Sequence, residues 1–120
     1  MASLDIDQDL RDGGVVVSAS GDIDSSTVDT LISHLDAALE AAGAHPSRVL
    51  VLELSRVTYF GSAGLNAVLG CHKKGRSDGI AVRVVACNAE VTLPIEVTKL
   101  DSVLRPYPTV AEALDGSAEP

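Results

Sequence analysis

Aromatic residues are nearly missing from this chain: one Phe, two Tyr and no Trp, 2% of 120 residues. A core must therefore be aliphatic, and the stacking platforms of single-strand nucleic-acid binders are lacking. Positive charge is also short. Nine Lys and Arg stand against seventeen Asp and Glu, a net charge of −8, the wrong sign for a surface that binds phosphate backbones. Nucleic acid is not expected as a partner. No apolar run reaches the roughly 18–20 residues of a membrane span. The opening Met1-Ala2-Ser3-Leu4-Asp5 carries an acid where a signal peptide carries bases. These absences predict a soluble, cytoplasmic protein that does not touch membrane. Cysteine is limited to Cys71 and Cys87, 16 positions apart with no CxxC pair. Both fall in apolar segments and read as buried free thiols. Neither has a His or acid at ligand spacing, so no metal or cofactor is expected.

What is present suits one α/β domain spanning 1–115, followed by a flexible tail at 116–120. Apolar residues make up 46% and charged residues 22%, ordinary values for a folded core. Leu4 to Leu10 alternates apolar and polar and predicts an edge strand. Asp12-Gly13-Gly14 predicts a turn, and Val15 to Ala19 a second strand, together an N-terminal hairpin. Gly21 to Asp24 reads as a loop. A long amphipathic helix follows to about Ala42, with Val28, Leu31, Ile32, Leu35, Ala38, Leu39 and Ala42 on one stripe. Asp24, Ser25 and Ser26 compete to cap it, Asp29 completing a capping box with Ser26.

Val49 to Leu54 is an apolar run of the length of a strand buried on both faces. A helix then runs from Ser62 to Gly75, and Ile80 to Val85 reads as another strand. Asn88 to about Leu100 predicts a shorter helix broken at Pro94. Ser102 to Arg105 could form a last strand. Thr109 and Glu112 form a capping box that opens a final helix. The whole predicts a mixed sheet of four to five strands with about four helices packed on it. Loops after parallel strands gather on one rim, so the Gly21–Asp24 and Gly61–Ser62 loops should lie together.

The residue of most interest is Ser62, placed where the buried strand gives way to a helix. As the expected N-cap, its hydroxyl would face the unpaired first-turn N–H groups, where an anion is favoured. It could be a structural cap, a nucleophile or a phosphorylation switch. Catalysis is disfavoured. A hydrolase elbow needs Gly-x-Ser-x-Gly, and the position two before Ser62 is Phe60. His72, ten residues on, is too distant to serve as base, and His34 and His45 precede the serine. Gly61 and Gly64 make no Walker loop. Asp22/Asp24 and Asp5/Asp7 are paired acids without a glycosidase or metal setting.

Three segments carry a resemblance to the STAS domains of bacterial anti-sigma factor antagonists, and it covers about Leu4 to Leu114. Gly21-Asp22-Ile23-Asp24-Ser25-Ser26-Thr27 resembles the family's loop entering the first helix. Val49 to Leu69, including Thr58-Tyr59-Phe60-Gly61-Ser62-Ala63-Gly64, resembles its strand, loop and phosphorylated helix start. Tyr107 to Leu114 resembles its closing segment. The resemblance implies a non-enzymatic switch. The unphosphorylated protein binds an anti-sigma factor serine kinase and so frees a sigma factor. Phosphorylation ends the complex, and a metal-dependent serine phosphatase restores it. Ser62 matches the phosphorylated serine and Asp24 the acid of the first loop. Gly61 stands where the family usually has Asp. The expected partner-binding face is Asp22, Ile23, Asp24, Ser25, Ser26 and Thr27 with Phe60, Gly61, Ser62, Ala63, Gly64 and Asn66. Phe60 reads as an exposed aromatic anchor or as a buried ring. The alternative function is a non-phosphorylated scaffold subunit of a stress-sensing or regulatory assembly.

Overall fold

Four strands form one mixed sheet in the order β1-β2-β3-β4; the structure, a computed structural model, describes residues 3–115. β1 (Leu4–Arg11) and β2 (Gly14–Ile23) make the antiparallel hairpin, turning through Asp12 and Gly13. β2 and β3 (Val49–Phe60) run parallel, as do β3 and β4 (Ala81–Val85). Parallel neighbours need crossovers, which α1 (Val28–Ala44) and α2 (Ser62–Ser77) supply. α3 (Ala89–Val97) and α4 (Val110–Asp115) complete the domain.

The branched runs in β2 and β3 are buried on both faces, as expected of central strands. Val15, Val17, Leu50 and Leu52 cluster with Leu31, Leu35 and Ala38 of α1 and with Leu65 and Val68 of α2. The opposite face, with Val16, Val49, Val51 and Val85, packs against Tyr107 and Ala113. Each such side chain contributes about 1.5–3 kcal/mol by leaving water, so the aliphatic sheet anchors everything around it.

Several elements differ from expectation, each for a local reason. β2 and β3 continue past Ala19 and Leu54 to Ile23 and Phe60, so the presumed first loop is largely strand. Register shifts between Ser18 and Ser20, and again between Gly21 and Asp22, each place an extra residue on β3. Such bulges break the two-residue alternation that marks a strand in sequence. Gly21 accepts a φ of 113°, and a Cβ there would fall 2.2 Å from the Ser3 carbonyl oxygen.

α1 starts at Val28 with Thr27 as its cap, and the Ser26–Asp29 capping box does not form. α3 runs unbroken through Pro94 and stops at Val97; a proline there removes one intrahelical bond, at the Glu90 carbonyl, without ending the helix. Ser102 to Arg105 is a set of turns, not a strand. The pairing to β4 is made instead by Tyr107, whose N–H donates to Val84 O at 2.7 Å while its carbonyl accepts from Ala86 N–H at 3.1 Å. The final capping box holds: Thr109 Oγ1 accepts from Glu112 N–H at 3.1 Å.

Cys71 is buried, and burial pushes its thiol up to about 12, so it is inert packing at neutral pH. Cys87 is exposed, contrary to expectation, because it lies beyond the end of β4. The tail at 116–120 lies outside the described residues. Among the described residues no helix is long and apolar enough to cross a membrane.

Candidate functional site

The two segments singled out in sequence meet at the carboxyl ends of β2 and β3. Asp22 pairs with Tyr59 and Ile23 with Phe60. The link continues one residue further, where Gly61 N–H donates to Ile23 O at 3.1 Å. Thr58 Oγ1 donates to Asp22 Oδ1 at 2.6 Å, tying the strands through side chains as well. The rim was expected from topology, and it is present.

Asp24 organises the first loop through its own turn. Its Oδ1 accepts from Ser26 N–H at 2.8 Å, Ser26 Oγ at 2.6 Å and Thr27 N–H at 3.2 Å. Thr27 Oγ1 accepts from Asp24 N–H at 3.0 Å and donates to Asp22 O at 2.8 Å. Thr27 is therefore a buried brace, while Ser25 and Ser26 are exposed. The Ser26 hydroxyl and backbone bonds hold the Asp24 carboxyl below its ordinary 3.8. Because the folded value is depressed, the turn is fully held above that pH and weakens as pH falls through the lower folded value. An NMR titration of the Ser26 and Thr27 amides should show the turn persisting down past pH 3.8. A transition above it would contradict the Asp24 assignment.

Ser62 is not the N-cap. Gly61 takes that role, with extended backbone (φ −83°, ψ 179°) and a carbonyl that accepts from Leu65 N–H at 3.0 Å. Ser62 is the first helical residue, its side chain exposed. No side chain caps α2 and no acidic residue stands in its first turn, so the positive end of a 16-residue helix is left open to an anion. Ala63 is half-buried beside it, and Asn66 is exposed one turn on. His72 lies about 15 Å further along the helix, given a rise of about 1.5 Å per residue, and takes no part in this site.

Four residues expected to face a partner are inside the fold: Thr27, the brace already described, and Ile23, Phe60 and Gly64. Ile23 is 0% exposed and Phe60 4%. Gly64 is buried against both, since a Cβ there would come within 2.5 Å of Ile23 Cγ2 and 3.1 Å of the Phe60 ring. They position the rim from beneath. The exposed aromatic is Tyr59, at 54%, a residue the sequence reading missed. Its ring lies over Gly61: a Cβ at that position would meet Tyr59 Cε2 at 2.9 Å and its hydroxyl at 3.1 Å. A side chain at 61 would have to displace this exposed ring, which occupies the space here. The available signal was the Tyr-Phe pair, where the phenol favours the wet side and the plain ring the dry one.

Residues 5–113 match the family model of the STAS domain. The anti-sigma-F factor antagonist RsfB of Mycobacterium tuberculosis is 32% identical over 107 residues, covering 88% of this chain and 83% of its own length. An anti-sigma factor antagonist from Mycobacterium paratuberculosis has a crystal structure that superposes with a TM-score of 0.85 at 32% identity, covering 95% of this chain and 93% of that one. Bacillus SpoIIAA in its phosphorylated form shares the fold alone, with a TM-score of 0.68 at 16% identity over 96% and 99% of the two chains. With its hairpin-led sheet, its paired loops at the strand ends and a family match over nearly its whole length, the chain belongs to the STAS domain family.

Proposed function

We propose that this chain is an anti-sigma factor antagonist that binds an anti-sigma factor serine kinase through the exposed and half-buried residues of the rim, Asp22, Asp24, Ser25, Ser26, Tyr59, Ser62, Ala63 and Asn66. Phosphorylation of Ser62 ends the complex, and a metal-dependent serine phosphatase restores it. The same reading makes the protein a cytoplasmic, non-enzymatic regulator. The observation that carries it is the Ser62 hydroxyl, exposed on the first turn of an uncapped helix and beside the loop held by Asp24. Two relatives at 32% identity, each named an antagonist, support the class of function.

Incubation with the anti-sigma kinase and ATP is expected to add a single phosphate, absent in Ser62→Ala. Gly61, in place of the family's usual acid, favours a second reading, a constitutive scaffold subunit. Tight binding without any phosphate transfer would select it.

Tyr59 is the anchor this reading puts at the centre of the contact. Exposed aromatics that become buried on binding are frequent hot spots. Tyr59→Ala is expected to weaken kinase binding about 10- to 100-fold by calorimetry with little change in melting temperature. Tyr59→Phe, which keeps the ring, should stay near wild type. A Tyr59→Ala variant that binds like wild type would remove Tyr59 from the interface.

A further inference from the structure

The outer edge of the sheet, at β4, is only partly covered. The segment 102–107 arches over it, pinned by the buried Leu104 and by the Tyr107 pairing to Val84 and Ala86. Between this arch, β4 and the flank of α2 lies a cavity of about 300 Å³, at the small end of the range for ligand sites. Among the described residues its fixed charges are both positive, and a histidine joins them. His72 comes from α2, Arg83 from β4 and Arg105 from the arch, and among the described residues no carboxylate lines it. In a chain with seventeen acids and nine bases, that selection is the reverse of the overall charge.

These three groups differ in how they are held. Arg83 is fixed by donation from Nη1 to Ala113 O at 2.8 Å, and Arg105 is exposed. His72 Nδ1 is buried with no hydrogen-bond partner. Burial, and then Arg76 on the same helix, lower its pKa, so the ring is neutral near pH 7. The remaining walls are largely apolar, including Val82, Val84 and Pro106.

We propose that this cavity binds a small organic phosphate, its apolar body against Val82, Val84 and Pro106 and its phosphate toward His72 and Arg105. Guanidinium groups suit phosphate better than a single ammonium would, because their forked donors match its several oxygens. A bound dianion would also favour the protonated imidazole, giving His72 Nδ1 the partner it lacks. The site shares no residue with the Ser62 rim and does not depend on the proposed function.

The test is an NMR titration of the full chain with phenyl phosphate, with inorganic phosphate in parallel. Saturable shifts at the His72 ring and the Arg105 and Tyr107 amides are expected, with a rise in the His72 pKa. Arg105→Gln, an exposed change, should weaken binding about tenfold or more, and His72→Gln should also weaken it. The absence of saturable shifts would overturn the proposal, as would affinity unchanged in both variants. Equal affinity for inorganic phosphate would overturn the assignment of an organic ligand.

Discussion

Ser62→Asp is expected to weaken binding to the anti-sigma kinase more than about a hundredfold, a loss of about 3 kcal/mol, while the thermal midpoint stays near that of wild type. The fold has no reason to object. The side chain is exposed, so nothing is unpacked, and a negative charge in an uncapped first turn interacts favourably with the helix dipole by about 0.3–1 kcal/mol. The complex does have reason. Asp22 and Asp24 already place two acids on this rim, and a phosphate would add roughly −1.5 to −2 more. A partner surface matched to the unmodified rim must then desolvate that charge or meet it with an acid. The proposed switch would therefore work by local electrostatics and not by refolding. Calorimetry with the kinase, together with melting curves, checks both halves. Unchanged affinity would contradict the role of Ser62, and a collapsed midpoint would contradict its surface placement.

Ile23→Ala is expected to do the reverse: to cost about 2–5 kcal/mol of stability while leaving the folded molecule able to bind. For a domain of this size that lowers the midpoint by roughly 8–20 °C. Ile23 is fully buried, packs under Gly64 and carries the carbonyl that holds Gly61. Its truncation opens a cavity beneath both loops but removes nothing a partner touches. Measured well below its own midpoint, the variant should bind within about fivefold of wild type, a change of roughly 1 kcal/mol. Lost binding at unchanged stability would place Ile23 on the surface after all.

Some of this arrangement is legible in the sequence and some is not. The stripe of Leu31, Leu35, Ala38 and Leu39 marks α1 because helical period survives wherever one face is dry. Val49 to Leu54 marks the centre of β3 because a strand covered on both faces must be apolar throughout. The second half of β3 was hidden. Ser55, Arg56, Thr58 and Tyr59 are exposed, and two bulges shift the alternation that would have revealed them. Ser62 was located to within one residue of its true position, but glycine at 61 can also end a strand and start a helix, and it took the cap. Between Tyr59 and Phe60 the phenol was the one local guide to the exposed ring, because those bulges shift the alternation that would have decided it. Tyr107 pairs with β4 as a single isolated bridge, too short to have any periodicity. Asp24, by contrast, was recognisable as a capping acid, though it closes its own turn and Thr27 takes the helix boundary.

The proposed function requires the rim around Ser62 to be the surface that meets an anti-sigma kinase. Cross-saturation NMR of the isotope-labelled chain bound to the unlabelled anti-sigma kinase tests this most directly. Signal loss is predicted at Ser25, Ser26, Tyr59, Ser62 and Asn66. Loss confined to the β1 edge or to α4, with those five resonances untouched, would contradict it.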